Sequence, residues 1–264
     1  MDDPISLAAR AARAGGTVAA ERFRSDVRFE TKAHKNDLVS DADAAAQDRV
    51  VALLSGESDA PVVGEEADTP STVPASGPAW IVDPIDGTAN YLRGMRLWAT
   101  SVARVEDGEP VAGATVMPAM DDEFLADDGE TRLNGESVSV SDRTDPETFA
   151  VAVLGWGPHG ERDAYAALSE AVVRECGDMR RFGSMQSALA FVASGGLDAA
   201  ITTRRPNPWD SVAGAHMVRA AGGTVTDLNG GRWRLDSQGL VASNGADHER
   251  LVDLARDVAA RVDG

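Results

Sequence analysis

Acidic side chains close three apolar segments of this sequence, and they are the residues best suited to chemistry. They are Glu65 and Glu66 after a Val-Val pair, Asp83 and Asp86 after an apolar run, and Asp210 at a helix start. Carboxylates held beside buried strands lose solvation and repel one another, so such a group requires protons or a cation. Oxygen ligands of this kind suit Mg²⁺ or Mn²⁺. Alternatively, each acid is a turn or N-cap residue on an acid-rich surface.

The segment 83–90, DPIDGTAN, combines several of the features that a phosphate site needs. Pro84 fixes a turn, which lets Asp83 and Asp86 point into one site. Gly87 and Thr88 can then open a helix whose free N–H groups face an anion. The Thr88 hydroxyl, beside the acids, could also orient a water molecule for attack. Metal and phosphate sites would therefore touch.

The elements that must position these residues follow from periodicity and capping signals. Alternating apolar residues and the turn pairs at 107–108 and 134–135 predict an antiparallel meander over 98–126. Further strands are predicted at 62–63, 80–82, 150–154, 197–202 and 240–243. Helices are predicted over 4–24, 41–54, 162–175, 184–193, 210–221 and 247–261. Because there is no regular βαβ alternation, layered sheets and helices are favoured over a doubly wound parallel sheet. A boundary is expected near residue 145.

Composition excludes several classes of partner. The formal net charge is −18, from 43 acidic and 25 basic residues, so neither nucleic acid nor an anionic membrane is an expected partner. An acidic, lysine-poor surface is typical of a halophilic protein. We expect a cytoplasmic location, since neither a signal peptide nor a bilayer-spanning stretch is present. Cys176 is the only cysteine, which excludes an intramolecular disulfide and a cysteine-based zinc site.

Three motifs resemble the inositol monophosphatase family, a member of the lithium-sensitive, magnesium-dependent phosphatases that also include fructose-1,6-bisphosphatases and 3′-phosphoadenosine phosphatases. They are GEE at 64–66, WIVDPIDGTAN at 80–90, and WD at 209–210 followed by AG at 213–214 and AGG at 221–223. Their order and separation are those of the family, and weaker likeness covers almost the entire chain. The resemblance is therefore highly specific.

The resemblance implies a role for each position. The implied metal ligands are Glu65, Asp83, Asp86, Asp210 and the Ile85 carbonyl, holding two to three Mg²⁺ ions for which Mn²⁺ can substitute. Glu66 is implied as a supporting acid or a ligand of a third metal. Asp43 would pair with Thr88 to activate the attacking water, and the Gly87 and Thr88 amides would hold the phosphate. No phosphoenzyme is expected, because metal-activated water attacks the ester directly.

The implied fold is an α/β protein, a layered α/β/α/β/α sandwich of the sugar-phosphatase type with mixed, largely antiparallel sheets. We expect residues 1–145 to form an N-terminal α+β half with most metal ligands. Residues 146–264 would form a C-terminal α/β half that supplies Asp210 and substrate contacts. Members of the family are usually homodimers, which makes a homodimer the expected assembly.

Substrate choice is where the chain departs from the inositol-specific pattern. Thr203 stands where inositol-specific members tend to carry a glutamate, and Arg204 and Arg205 follow it. The two arginines are either solvent-facing turn residues or a cationic rim for a second phosphate. Inositol monophosphate, fructose 1,6-bisphosphate and a 3′-phosphonucleotide all remain candidate substrates. A regulatory binding protein that has kept the fold is the non-enzymatic alternative, although every catalytic position holds a competent residue.

Overall fold

A computed structural model describes residues 3–25, 29–31, 38–66, 69–159 and 162–263. The described residues form seven α-helices and fourteen strands. The helices are α1 (Pro4–Arg22), α2 (Asp41–Glu57), α3 (Thr88–Leu92), α4 (Asp163–Glu175), α5 (Met185–Ala193), α6 (Pro208–Ala220) and α7 (His248–Asp263). The predicted helices are all present, with ends shifted by at most three residues. No helix within the described ranges is long and apolar enough to cross a membrane.

The first sheet has seven strands in the order β3-β4-β5-β6-β7-β8-β9. They are β3 (Val62–Gly64), β4 (Pro78–Asp86), β5 (Ala99–Glu106), β6 (Glu109–Met117), β7 (Asp122–Ala126), β8 (Thr131–Leu133) and β9 (Glu136–Val138). Only the β3–β4 pair is parallel within this sheet. Asp107-Gly108 and Asn134-Gly135 have positive φ at both residues, as tight hairpin turns require. The predicted meander is therefore confirmed.

The second sheet has five strands in the order β11-β10-β12-β14-β13. They are β10 (Ala150–Val153), β11 (Asp178–Arg180), β12 (Ala199–Thr202), β13 (Thr224–Thr226) and β14 (Leu240–Ser243). Strand β10 runs parallel to β11 and β12, whereas β14 is antiparallel to both of its neighbours. A separate antiparallel pair joins β1 (Phe29–Thr31) to β2 (Leu38–Ser40).

Alternation of buried side chains along the strands builds five layers. On β4, Trp80 and Val82 pack against α1 and α2, while Ala79 and Ile81 pack on the other face with α5 and α6. On β10, Ala152 faces the same central helices, and its neighbours pack against α4 and α7. Because successive strand residues point to opposite faces, each sheet lies between two helical layers. The layered α/β/α/β/α sandwich is confirmed.

The predicted boundary near residue 145 falls in the connection between β9 and β10. Each sheet lies wholly on one side of it. However, the buried side chains of α5 and α6 belong to a single apolar cluster that also contains residues of both sheets. The division into halves 1–145 and 146–264 therefore stays a prediction.

Candidate active site

An irregularity in β4 brings two aspartates to one site. Asp83 pairs with Ser101 of β5 and Asp86 pairs with Ala99, so three steps along β4 match two along β5. In a regular strand, residues three apart point to opposite faces, and the extra residue at this bulge changes that relation. Carboxylate oxygens of Asp83, Asp86 and Asp210 all lie within 4.8 Å of one another. The structure thus brings together three of the predicted metal ligands.

Asp83 lies at the buried floor of this cluster. The residue is 1% exposed, and both carboxylate oxygens are buried without a hydrogen-bond partner. Burial raises the pKa of Asp83 well above its usual range, and the charges of Glu65, Asp86 and Asp210 raise it further. A buried carboxylate with no donor requires a proton or a cation as its partner.

Asp86 is held by the beginning of α5. Its Oδ2 accepts hydrogen bonds from the Ser184 hydroxyl at 2.5 Å and the Gln186 amide at 2.7 Å. Its Oδ1 accepts one from the Met185 amide at 3.1 Å. Burial raises the pKa of Asp86, and these hydrogen bonds oppose that rise. The N-terminal end of α5 therefore orients this carboxylate, a contact that no local motif in the sequence indicates.

Asp210 enters the cluster from the first turn of α6. Asn207, the N-cap residue of α6, donates from Nδ2 to Asp210 Oδ2 at 2.9 Å. Loss of solvation raises the pKa of Asp210 to about 8, with further contributions from the charges of Glu65 and Asp86. Asn207 was not predicted as a site residue, although Asn directly before Pro208 is a typical helix start.

Asp43 and Thr88 meet as the motifs predict. The Thr88 hydroxyl lies 3.1 Å from Asp43 Oδ1 and 3.1 Å from the Ile85 carbonyl oxygen. It has one proton, so it donates to one of these acceptors at a time. Asp43 Oδ2 accepts hydrogen bonds from the Ser40 amide and hydroxyl in the capping box of α2. Burial raises the pKa of Asp43 to about 6 despite the opposing effect of Ser40.

Glu65 and Glu66 lie at different depths. Glu65 lines the pocket beside the cluster, and its charge contributes to the raised pKa of Asp83. Glu66 is 7% exposed, and its charge contributes to the raised pKa of Asp43. The Glu66 backbone is fixed by Gln47, which accepts from its N–H at 3.0 Å and donates to its carbonyl at 3.3 Å.

Position 87 requires glycine, which has no side chain. Its φ of +93° is in the left-handed region, and a Cβ there would lie 3.1 Å from the Leu97 carbonyl oxygen and from Ser184 Cβ. The chain therefore turns sharply between Asp86 and α3 with no room for a larger residue. This turn places Thr88 next to the acids.

A pocket of about 280 Å³ opens over the cluster. Its lining includes four predicted site residues, which are Glu65, Gly87, Thr88 and Asp210. Neither Arg204 nor Arg205 is among the lining residues. The Arg205 guanidinium instead donates to the Leu235 carbonyl at 3.1 Å and lines a separate cleft.

The cationic residue in the pocket lining is Arg181, and aromatic residues Trp156 and Tyr165 lie on the same wall. We did not predict these three from the sequence. Arg181 directly follows Arg180 at the end of β11, and Trp156 lies in a Gly-rich connection after β10. None of the three lies within one of the acidic motifs, so the sequence holds no strong signal for this wall.

Comparison with known proteins assigns the chain to a family. A model described as "Inositol monophosphatase family" matches residues 1–260. The chain is 34% identical to the inositol-1-monophosphatase ImpA of Mycolicibacterium smegmatis over 90% of this chain and 86% of the relative. It is 32% identical to the fructose-1,6-bisphosphatase/inositol-1-monophosphatase of Aquifex aeolicus, over 96% and 95% of the two chains.

Relatives that are named Nus factors also match. The Nus factor SuhB of Pasteurella multocida is 31% identical over 92% of each chain. Among solved structures, the Thermotoga maritima IMPase superposes with a TM-score of 0.86 at 29% identity and covers 97% of each chain. The match of family model, relatives and fold extends over nearly the whole length. The chain therefore belongs to the inositol monophosphatase family and is a phosphatase.

Proposed function

We propose that the protein is a magnesium-dependent phosphomonoesterase that hydrolyses a small sugar or inositol phosphate with metal-activated water. The relatives named as inositol monophosphatases and fructose-1,6-bisphosphatases support this class of substrate. The pocket over the acids is small, which also favours a small soluble ester. The observation that carries the proposal is the state of Asp83.

A bound cation would satisfy the Asp83 carboxylate, to which no described residue donates a hydrogen bond. Both of its oxygens are buried without a donor, while two further carboxylates lie within 4.8 Å. Hard oxygen ligands of this number favour Mg²⁺ or Mn²⁺, which keep coordination positions open for water and phosphate. The donor set therefore supports a divalent cation at this site, and the family resemblance implies two to three such ions.

The residues that would hold these ions are Glu65, Asp83, Asp86, Asp210 and the Ile85 carbonyl, with Glu66 beside a third. Bound there, the ions would lower the pKa of a water molecule and neutralise charge on the phosphate. With the Ile85 carbonyl engaged as a ligand, the Thr88 hydroxyl would donate to Asp43. Its lone pairs would then face the pocket and accept a hydrogen bond from the attacking water. As the water's proton moves to Thr88, the proton of the Thr88 hydroxyl would move to Asp43.

Asp43 is the proton acceptor in this scheme. Its pKa of about 6, set mainly by burial, is suited to a base that works near neutral pH. Ser40 fixes its orientation through two hydrogen bonds, so the carboxylate is presented to Thr88 without a search over rotamers. The tight turn at Gly87 would bring the Gly87 and Thr88 amides close to the phosphate.

The substrate, the cellular location, the assembly and a regulatory role are further predictions from the sequence. Inositol monophosphate and fructose 1,6-bisphosphate are the two main candidate substrates, and a 3′-phosphonucleotide is the third. A cytoplasmic location, a halophilic character and a homodimer remain predictions. The relative named Nus factor SuhB keeps an additional regulatory role open, although the complete set of acids favours catalysis.

The test is a panel of phosphorylated substrates assayed with Mg²⁺ in high salt, with and without a chelator. We expect hydrolysis of at least one sugar or inositol phosphate, its loss with the chelator, and its return with Mg²⁺ or Mn²⁺. Sodium chloride at matched ionic strength controls for charge screening of the acidic surface. Hydrolysis that persists in the chelator, or that only Zn²⁺ restores, would refute the proposal.

A further inference from the structure

The wall of the pocket that the sequence did not predict is aromatic and cationic. The guanidinium carbons of Arg162 and Arg181 lie 4.1 and 4.4 Å from the centre of the Trp156 ring. Tyr165 packs edge-on against the same ring, with centroids 4.9 Å apart. Tryptophan is the most favourable aromatic partner for a cation, and arginine is the cation most often found on it. Arg181 is therefore held in place by packing.

The backbone fixes Trp156 at this position. Gly155 has a φ of +81°, and a Cβ on it would lie 2.5 Å from Thr202 Oγ1. Only glycine suits this turn, which follows β10 and directs the chain to the pocket mouth. Trp156 remains 43% exposed although it is a large apolar residue. Exposure of an aromatic ring at a pocket mouth is typical of a surface that contacts a ligand.

Arg181 differs from Arg180 in the groups that contact its guanidinium. Arg180 forms an ion pair with Asp178 on the same strand. Among the described residues, no carboxylate forms an ion pair with Arg181, even though the formal net charge of the chain is −18. Its polar partner is the hydroxyl of Tyr165. A guanidinium has five N–H donors, and the exposed Arg181 side chain belongs to the pocket lining, so it has donors to offer a ligand besides the one that meets Tyr165.

We infer that Arg181, held by Trp156 and Tyr165, binds a second phosphate of the substrate and so selects phosphomonoesters that carry two phosphates. This inference rests on the proposed function, because the acidic cluster with its cations takes the phosphate that is hydrolysed. An anion-binding group on another wall of the same pocket then fits the distal phosphate. The planar fork of arginine matches phosphate geometry, and its prior immobilisation reduces the entropic cost of binding.

The alternative group for a second phosphate is the predicted rim of Arg204 and Arg205. Neither residue lines the pocket, and Arg205 is engaged with the Leu235 carbonyl over a different cleft. The role of Arg204 and Arg205 stays a prediction, and Arg181 is the arginine that belongs to the pocket lining.

The test compares fructose 1,6-bisphosphate with fructose 1-phosphate, which lacks only the distal phosphate. We measure kcat/KM for both in the wild type, Arg181→Gln, Arg181→Lys and the matched control Arg180→Gln. The wild type should prefer the bisphosphate. Arg181→Gln should lower the ratio of the two kcat/KM values about tenfold, and Arg181→Lys should lower it less, since it keeps charge but loses the fork. Arg180→Gln should keep the wild-type ratio.

Each outcome separates this inference from the proposed function. An unchanged ratio in Arg181→Gln, or an equal loss on both substrates, would overturn the inference and leave the phosphatase proposal intact. A similar fall in Arg180→Gln would also overturn it, because general electrostatics would then explain the effect. If the wild type hydrolyses neither substrate nor any inositol phosphate with Mg²⁺, the proposed function fails and the inference fails with it. Thermal unfolding of each variant confirms that it is folded.

Discussion

Two aspartates of this protein, Asp83 and Asp198, are equally buried and have opposite surroundings. Each is 1% exposed. Asp198 accepts hydrogen bonds from the Ser141 hydroxyl at 2.5 Å and the Ala150 amide at 2.7 Å, and Arg143 lies 3.6 Å away. Asp83 has no hydrogen-bond donor on either oxygen. Burial of a carboxylate therefore does not identify a functional site, whereas burial without a donor does.

The difference reflects what each residue does for the fold. Asp198 lies at the start of β12 and ties the β9–β10 connection to the second sheet. Asp83 ends the regular part of β4 and is surrounded by Asp86, Asp210 and Glu65, whose charges oppose its ionisation. Asp198 thus stabilises the structure. Asp83 destabilises the metal-free structure, and a bound cation would offset that destabilisation.

The largest effect is expected from Asp83→Asn. Loss of the proposed central metal ligand should lower kcat/KM with Mg²⁺ at least about a hundredfold. In the presence of a chelator the same variant should be more stable than the wild type, by roughly 2 to 8 °C in Tm, because a buried repulsive charge is removed. Activity assays and thermal unfolding with a chelator test both parts. Near-normal turnover, or a lower chelated Tm, would contradict the assignment of Asp83.

The matched variant Asp198→Asn should behave in the opposite way. The amide keeps one acceptor oxygen for the Ala150 N–H, and its NH₂ group can donate to the Ser141 hydroxyl. The NH₂ group cannot pair with the Arg143 guanidinium, which therefore loses its anionic partner. The cost should be about 1 to 3 kcal/mol, equal with Mg²⁺ and with a chelator. Its kcat/KM should stay within about threefold of the wild type. A destabilisation that Mg²⁺ abolishes would remove the distinction between the two aspartates.

How much of the fold is predictable depends on element length. The helices were predicted to within three residues because capping residues and apolar periodicity mark their ends, as in the Ser40 cap of α2. Strands β1, β2, β8, β9, β11 and β13 were missed. Each has three residues, which show little alternation, and only pairing defines them. The order of the strands also depends on tertiary contacts.

Some residues of the site could also be predicted from the sequence, and others could not. The acids could be identified from the sequence because they lie in recognisable motifs. The structure brings Asp83, Asp86 and Asp210 together. The Asp43–Thr88 contact was also predicted. Arg181 was missed because β11 was not predicted and Arg181 directly follows it, so no predicted element placed this arginine at the pocket. Position in the fold, and not residue type, selects the cationic wall.

The smallest expected effect, a change in magnesium stabilisation with pH, follows from the acids that surround Asp83. The pKa of Asp43 is raised to about 6 and that of Asp210 to about 8, both chiefly by burial, and the pKa of Asp83 is raised well above its usual range. For acids whose pKa is higher in the folded than in the unfolded protein, the stabilising contribution is fully present below the unfolded pKa. It is lost as pH rises through the folded pKa.

Without metal, these groups should therefore destabilise the fold progressively between about pH 4 and pH 8. Mg²⁺ replaces the protons, so its stabilising effect should grow over the same interval. His216 and His248, whose pKa values are lowered by burial, favour the fold at higher pH, but they act alike with Mg²⁺ and with a chelator. Their contribution cancels in the difference between the two samples.

The measurement is the difference in Tm between Mg²⁺ and chelator, taken near pH 6 and near pH 8 at fixed ionic strength. We expect the difference to be larger at the higher pH by about 2 to 6 °C, since one or two kcal/mol moves the Tm of a protein of this size by that amount. Asp83→Asn should reduce the increase, because it removes the most strongly shifted group, whereas Asp198→Asn should preserve it. A difference that stays constant or shrinks towards pH 8 would show that protons and Mg²⁺ do not compete for these carboxylates, and the comparison between Asp83 and Asp198 would lose its electrostatic basis.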